Sequence, residues 1–429
     1  MKVFKFGGAS VKNASAVKNV ANIIGLFPDD QLMVVISAMG KTTNGLEELN
    51  RLIFNKDPKA TEKLEEIKTF HLQIMKQLFP QRYESVFQDV MEVFEELNHC
   101  IHRQVEYSFD HQYDQIVSKG EMISTKIVTA YLQETGVNAS WLDVRNVIQT
   151  DHTHREGNVN WEATQQHVTK NVLPLFAGHS DKVLVTQGFI GVSPEGFTTT
   201  LGREGSDYTA SILAHCLNAK DVTIWKDVPG VLNADPKWFD NTVKLNNLTY
   251  QDAIELAYYG ASVIHPKTIQ PLQNKDIPLH VKSFVDPSLS GTVIGEGSYD
   301  SLIPSFIFKM DQVLFSIASK DFSFIAEDHL QTIFTAFAKR GVKINLMQNS
   351  AISFLVCMNN DPEKVKSIEE ELGTLFKIKH EEGLELITIR YYDSATIERV
   401  SKNKDIILQQ KGKRTIQLVV KDLGNGLTI

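Results

Sequence analysis

The sequence predicts an α/β protein, a mostly parallel sheet sandwiched by helices, followed by a smaller α+β region. Three observations carry this. Val3 to Phe6 is a short β-like run stopped by Gly7-Gly8; Val17, Val20, Ile23, Ile24 and Phe27 then recur at helical spacing, and Leu32 to Ile36 is continuously apolar. Such a strand–turn–helix–strand unit builds a parallel sheet, and an unbroken apolar strand fits burial on both faces. Near residues 286 to 304, Pro287, Gly291, Gly295, Gly297 and Pro304 cluster with serines, which marks a boundary. Beyond it a strand–helix–strand rhythm repeats, the second unit shorter than the first.

In order along the chain, residues 47 to 112 read as almost wholly helical, an excursion whose sequence carries no recognisable chemistry. A helix over Tyr113 to Glu134, interrupted near Gly120, follows. Strands are expected at Ala139 to Val144, Lys182 to Phe189, Val222 to Trp225 and Pro278 to Phe284. Helices are expected at Ser206 to Leu217, Thr249 to Tyr259 and His265 to Gln273. In the tail, strands are expected at Gln312 to Ala318, Lys343 to Met347, Ser353 to Met358, Glu385 to Tyr391 and Thr415 to Val420. The intervening helices are Asp328 to Arg340, Pro362 to Leu372 and Ala395 to Ile407. Two domains are expected, 1–300 and 301–429.

The 429 residues suggest roughly two or three domains. With 42% hydrophobic and 22% charged residues the chain is neither disordered nor collagen-like. A net charge of −8 argues against coating nucleic acid, though not against a small basic pocket for a phosphorylated ligand. Cys100, Cys216 and Cys357 share no disulfide or zinc spacing. The start lacks an apolar leader and no apolar run approaches the length of a membrane span, so a cytoplasmic protein without membrane partners is expected.

Several segments hold candidate chemistry. Lys5-Phe6-Gly7-Gly8-Ala9-Ser10 sets a cation on a strand, two glycines in the turn and a hydroxyl at a helix start; amides in such a turn can approach an anion closely. The same pattern also serves as a mere tight connection. Gly191 and Gly196 have Walker A spacing, but Phe197 stands where the lysine belongs, so a β-hairpin from Phe189 to Leu201 is the better reading. Thr199 to Ala210 packs Gly202, Arg203, Gly205, Ser206, Asp207 and Thr209 into one turn, more than helix capping needs, and Arg203 suits a carboxylate. Trp225 to Lys237 follows a strand end, where open α/β sheets bind ligands. Ser37 to Asn44 and Lys119-Gly120-Glu121 are weak singly. His152, His154 and His167 read as a solvated loop rather than metal ligands.

Together and in this order, Lys5 to Ser10, Val34 to Asn44, Ser118 to Thr125, Gly202 to Thr209, Trp225 to Pro236 and Gly260 to Pro266 resemble the aspartate kinases of the amino-acid kinase superfamily. The resemblance covers about the first 300 residues, and the tail resembles that family's paired ACT-type regulatory units. It implies the amino-acid kinase fold and a monofunctional enzyme that phosphorylates the side-chain carboxylate of L-aspartate with ATP and Mg²⁺. That reaction is the first step toward lysine, threonine and methionine. By resemblance, Lys5 would stabilise the transferring phosphoryl group and Asp207 would orient Lys5. Ser37, Thr43, Glu121, Arg203 and Ser206 would form the substrate pocket, Arg203 on the carboxylate and Glu121 on the ammonium. Gly7, Gly8, Ser10, Lys226, Asp227, Leu232, Lys237 and Ser262 would hold the nucleotide.

Lys226 stands where relatives often have threonine, Glu204 where many have a small residue or Asn, and Ser262 where a lysine is common. Lys226 or Lys267 is expected to supply that charge. An amino-acid effector, lysine before threonine, is expected at Asn345 and Ser350, with a homodimer or larger homo-oligomer through the ACT-type region. The alternatives left open are a glutamate-type amino-acid kinase and a non-catalytic sensor, which would be expected to lack Lys5, Asp207 or Arg203.

Overall fold

A computed structural model describes residues 1–81, 84–103, 107–177, 182–261, 264–297, 303–321 and 323–424. The chain divides into two units. One comprises Met1–Val231, Asn246–Ile254 and Val263–Ser298; the other comprises Leu232–Leu245, Glu255–Ser262 and Tyr299–Ile429. The division is therefore not a single cut near 300, because two short segments of the first 300 residues group with the tail. Ser262 and part of the Pro/Gly-rich boundary, 298–302, lie outside the described residues.

The strands of the first unit are β1 (Lys2–Phe6), β2 (Leu32–Ile36), β3 (Ala139–Leu142), β4 (Val183–Gln187), β5 (Ile190–Val192), β6 (Thr198–Thr200), β7 (Val222–Lys226), β8 (Asn247–Thr249), β9 (Leu279–Ser283) and β10 (Thr292–Gly295). Eight of them form one sheet in the order β3-β4-β2-β1-β7-β9-β10-β8. Every neighbouring pair is parallel except β9–β10. Lys5 on β1 lies opposite Val35 on β2 and Ile224 on β7. Every residue of β2 is buried, as its unbroken apolar run requires, and Phe6 stacks on Trp225 with ring centroids 6.1 Å apart. β5 and β6 form the expected hairpin.

The helical excursion contains Thr42–Phe54, Ala60–Leu78, Glu84–His102 and Phe109–Val117, and Lys119–Glu134 leads back to the sheet. Its His71 is fully buried, with Nδ1 2.7 Å from the Ile67 carbonyl. Burial pushes the His71 imidazole down to about 4, so it is neutral at physiological pH. The helix Trp161–Asn171 escaped the sequence reading because it is mostly polar and buries only Thr164 and Val168.

The second unit holds β11 (Ser305–Ser319), β12 (Ile344–Asn349), β13 (Ser353–Asn359), β14 (Phe376–Arg390), β15 (Lys404–Lys411) and β16 (Thr415–Asp422), an antiparallel sheet ordered β12-β13-β11-β14-β16-β15. Residues 312–319 of β11 pair with β13 and the first part of β14, whereas 305–309 pair with 386–390. The second repeat thus takes a strand from residues that precede the first repeat, which is why it looks short in the sequence. Helices Glu327–Lys339 and Pro362–Leu372 cover one apolar face of the first repeat, and Ser394–Ser401 covers that of the second. A third cluster joins Leu314, Leu346 and Cys357 to Leu386, Leu408 and Val419 on the opposite faces.

The helix expected over Ala395 to Ile407 is corrected. It is confined to Ser394–Ser401, opened by a capping box between Asp393 and Thr396, and Asn403 at φ 61° turns the chain into β15. β14 starts nine residues before the expected strand, because the run Lys377 to Glu385 is too charged to read as a strand.

Candidate active site

Parallel pairing brings the C-terminal ends of β1, β2, β4 and β7 to one edge of the sheet. Gly7 and Gly8 leave β1 there. A Cβ on Gly8 would sit 2.8 Å from the Ala38 carbonyl oxygen and 2.9 Å from that of Gly40, so only glycine lets the two strand-end loops pass. Gly188, after β4, plays the same part: a Cβ there would lie 2.4 Å from Cβ of Ser206. That contact seats the N-terminus of the helix Gly205–Leu217 against the sheet, with Ser206 and Asp207 buried in its first turn.

Lys5 and Asp207 meet. Lys5 Nζ is 2.6 Å from Asp207 Oδ1, and Lys226 Nζ is 3.6 Å from Oδ2. Burial by itself would raise the Asp207 carboxyl, but the Lys5 and Lys226 cations outweigh it and hold the group below its usual range. Asp207 is therefore an anion held between two cations.

Above this cluster opens a cleft of about 710 Å³. Lys5, Ser37, Thr43, Glu121, Arg203 and Ser206 line it, as do Glu47, Asp110, Tyr113, His154, Arg155, Glu156, Phe189 and Glu204. Glu121 is fully buried. Its Oε1 accepts from the Ala38 amide at 3.1 Å, while Oε2 has no hydrogen-bond partner. Burial pushes the Glu121 carboxyl up to about 8, against the opposing influence of the Ala38 amide and Lys5. Arg203 is exposed at the cleft.

The other sequence-chosen residues fall elsewhere. Ser10 is buried, its hydroxyl donating to the Trp225 carbonyl at 3.5 Å. Asp227 is exposed just after β7, and Leu232 and Lys237 belong to the second unit. Of the two lysines expected to supply charge, Lys226 stands at Asp207, whereas Lys267 lines a separate hollow with Trp161, Tyr208 and His215. The Asn345 amide is engaged within its own unit: Nδ2 donates to Gln312 and Asn359, and Oδ1 accepts from Lys309, each at 2.8 Å. The Ser350 hydroxyl is 2.7 Å from that of Ser353.

Sequence reasoning missed one wall of the cleft. Tyr113 donates to Glu47 Oε1 at 2.7 Å, so the helical excursion contributes Glu47 and Asp110 to the cleft. The solvated-loop reading fits His152, which is exposed, and is corrected for His154 and His167. His154 Nδ1 lies 2.8 Å from Asp114 Oδ2, and that fully buried carboxylate also accepts from the Arg155 amide and the Thr200 hydroxyl, pinning the loop. His167 sits on the helix Trp161–Asn171. These partners are 40 to 86 residues apart in sequence, and no spacing rule joins them.

A glycine turn at a strand end, a buried carboxylate between two lysines and a carboxylate-lined cleft at the strand ends fit a small-molecule phosphotransferase. Residues 1–283 match the amino acid kinase family. The chain is 31% identical over 400 residues to the lysine-sensitive aspartokinase 3 of Escherichia coli, covering 90% of this chain and 86% of that one. It is 34% identical to the chloroplastic aspartokinase 1 of Arabidopsis thaliana over 86% of this chain, spanning 65% of that relative's length. The crystal structure of E. coli aspartokinase III with aspartate and ADP superposes with a TM-score of 0.81 at 27% identity, covering 98% of this chain and 96% of that one. The chain belongs to the amino acid kinase family, and within it to the aspartokinases. Among the described residues no helix is long and apolar enough to cross a membrane.

Proposed function

We propose that this chain transfers the γ-phosphoryl group of ATP to the side-chain carboxylate of L-aspartate, giving ADP and 4-phospho-L-aspartate. The observation that carries the reading is the Lys5–Asp207–Lys226 cluster at the base of a cleft that also presents Glu121 and Arg203. The acceptor carboxylate, with a pKa of ~3.9, is ionised at neutral pH and needs no general base. The obstacle is repulsion between two anions, so positive charge and positioning must do the chemistry. Lys5, oriented by Asp207, faces the transferring group, and the amides of Gly7 and Gly8 with the neighbouring hydroxyl of Ser10 cradle phosphate. Lys226 and Asp227, at the end of β7, serve the nucleotide. Arg203 holds the substrate carboxylate and Glu121 its ammonium, while Ser37, Thr43 and Ser206 line the same pocket.

Mg²⁺ would arrive on the nucleotide, where it neutralises phosphate charge. No cluster of three His, Cys, Asp or Glu side chains among the described residues could cage it, and both Asp207 oxygens are taken by lysines. The presence of Lys5, Asp207 and Arg203 in one place weighs against a non-catalytic sensor. One E. coli aspartokinase III structure holds lysine and aspartate, and this chain superposes on it with a TM-score of 0.82 at 28% identity; lysine is accordingly the proposed effector, ahead of threonine. Homo-oligomerisation through the second unit is supported by the edge strand β12, which carries the exposed Met347. Three unpaired thiols fit a cytoplasmic setting.

A coupled ADP-release assay tests the reading. Turnover with aspartate should far exceed that with glutamate and fall when lysine is added; ADP release driven only by glutamate would overturn the assignment. In the same assay Arg203→Ala should raise the aspartate KM by about 10- to 100-fold, the scale of a charge-assisted pair, and leave the ATP KM within about twofold. Equal rises in both would remove Arg203 from the substrate clamp.

A further inference from the structure

The helix Phe109–Val117, part of the excursion, grips the strand that delivers Arg203 to the cleft. Gln115 Nε2 donates to the Thr198 carbonyl at 2.8 Å, and the Thr200 hydroxyl donates to Asp114 Oδ1 at 2.7 Å. β6 ends at Thr200, and only Leu201 and Gly202 separate it from Arg203. The Asp114 carboxylate is wholly buried, a costly placement unless donors surround it, and it takes a second segment as well. The Arg155 amide reaches Oδ1 at 3.2 Å and Oδ2 at 3.1 Å, and His154 Nδ1 lies 2.8 Å from Oδ2. Arg155 has φ 66°, a left-handed conformation disfavoured for a residue with a side chain, and the carboxylate holds its amide there. The two segments also meet directly, the Gly157 amide donating to the Thr200 carbonyl at 2.8 Å. Gly202, at φ 77°, lies so close to the loop that a Cβ would sit 3.1 Å from Glu156 Cγ and 3.3 Å from the Arg155 carbonyl oxygen. The backbone before Arg203 thus rests on a strand and a loop whose common anchor is Asp114.

We propose that Asp114 is a positioning residue for substrate binding: through the Thr200 hydroxyl and the Arg155 amide it fixes the backbone that aims Arg203 at the substrate carboxylate. A guanidinium grips a carboxylate well only in a narrow geometry, and a misplacement of about 1 Å can cost up to 10²-fold. The same stretch of chain serves the other end of the substrate. The helix bearing Asp114 ends at Val117 and the helix bearing Glu121 starts at Lys119, with Ser118 alone between them. The excursion therefore sets where both substrate-holding charges stand, Glu121 directly and Arg203 through Asp114. This deepens the aspartate reading and rests on Arg203 being the substrate clamp.

Thr200→Val removes one hydroxyl with little change of volume, and Asp114 keeps its contacts to Arg155 and His154, so the variant should fold. The aspartate KM should rise about tenfold, with kcat and the ATP KM within about twofold of wild type. Thr200→Ser returns the hydroxyl and should restore the aspartate KM to within about twofold. Asp114→Asn, which keeps the shape and replaces one accepting oxygen by an amide, should show the same selective rise and serves if the valine variant does not fold. A double-mutant cycle separates aiming from general loosening. Acting through the guanidinium, Thr200→Val should add less than about twofold to the aspartate KM of Arg203→Ala, whereas an independent effect would multiply in full. An unchanged aspartate KM, an equal rise in the ATP KM, no rescue by serine, or full multiplication in the double variant would each overturn the proposal. If the unmutated protein does not turn over aspartate, the substrate reading fails and takes this one with it; wild-type turnover with an indifferent Thr200→Val sinks the positioning role alone.

Discussion

Replacing Lys5 by methionine should lower kcat by a factor on the order of 10²–10³, the cost of deleting one preorganised electrostatic stabiliser. Methionine keeps most of the stem and removes only the ammonium, so the change isolates charge from packing. The expected loss is large because the Lys5 side chain is only 10% exposed and its partner Asp207 is wholly buried, where charges act with little screening from water. Lys226 limits the structural damage. At 3.6 Å from Oδ2 it still faces the Asp207 carboxylate when Lys5 is gone, so the variant should fold. Its stability should nevertheless fall, by less than the roughly 3–5 kcal/mol typical when a buried charge is left wholly unpaired.

The acid limb gives a second reading of the same variant. Asp207 is held below the unfolded carboxyl value, so its contribution is complete above about pH 4 and disappears as pH falls through the lower folded value. Without Lys5 the folded value should rise toward the unfolded one, and the difference in melting temperature between wild type and variant should shrink as pH drops below 4. Thermal melts across that range with steady-state kinetics at pH 7 check both halves. Unaltered kcat would remove Lys5 from the chemistry, and a constant melting difference would remove the ion pair as its structural partner.

What the sequence showed and what it hid follow from the range of each interaction. β1, β2 and the helix Gly205–Leu217 were readable because continuous apolar strands and helical spacing are local patterns, enforced by burial on both faces. Lys5, Gly8, Arg203 and Asp207 were readable because close turns and charge inside a glycine-bearing segment are locally unusual, whereas Glu121 came only with the family resemblance. The wall formed by Glu47, Asp110, Tyr113 and His154 was not, since each member is an ordinary helix or loop residue until the excursion folds back. The tail misled for another reason. β14 runs through charged residues because one repeat's strand continues into the next, so hydropathy marks only its second half. Asn345 is engaged by Lys309 and Gln312, which come from another strand, so its neighbours could not be read from its own segment.

Glu121→Gln should raise the aspartate KM by about 10- to 100-fold with little effect on the ATP KM, because a hydrogen bond to a charged group contributes roughly 1.5–3 kcal/mol. The free protein holds this group near 8, chiefly through burial, so at pH 7 Glu121 is mostly protonated while one buried oxygen lacks a partner. A substrate ammonium beside it favours the ionised form. Aspartate binding at pH 7 should therefore release close to one proton, read by calorimetry in buffers of different ionisation enthalpy, and the aspartate KM should fall as pH rises from 6 to 8. The glutamine variant should show neither effect.

Stability must move the opposite way. Between the ordinary value of 4.5 and about 8 the folded state binds the proton that the unfolded state has lost, so this group's contribution declines as pH rises through that window. Glutamine has no proton to lose, and its melting temperature should drop less than wild type between pH 5 and pH 8. Parallel melting curves for the two proteins, together with proton release unchanged by the substitution, would mean that Glu121 is already ionised in the free protein. The ammonium would then meet a pre-formed anion rather than create one.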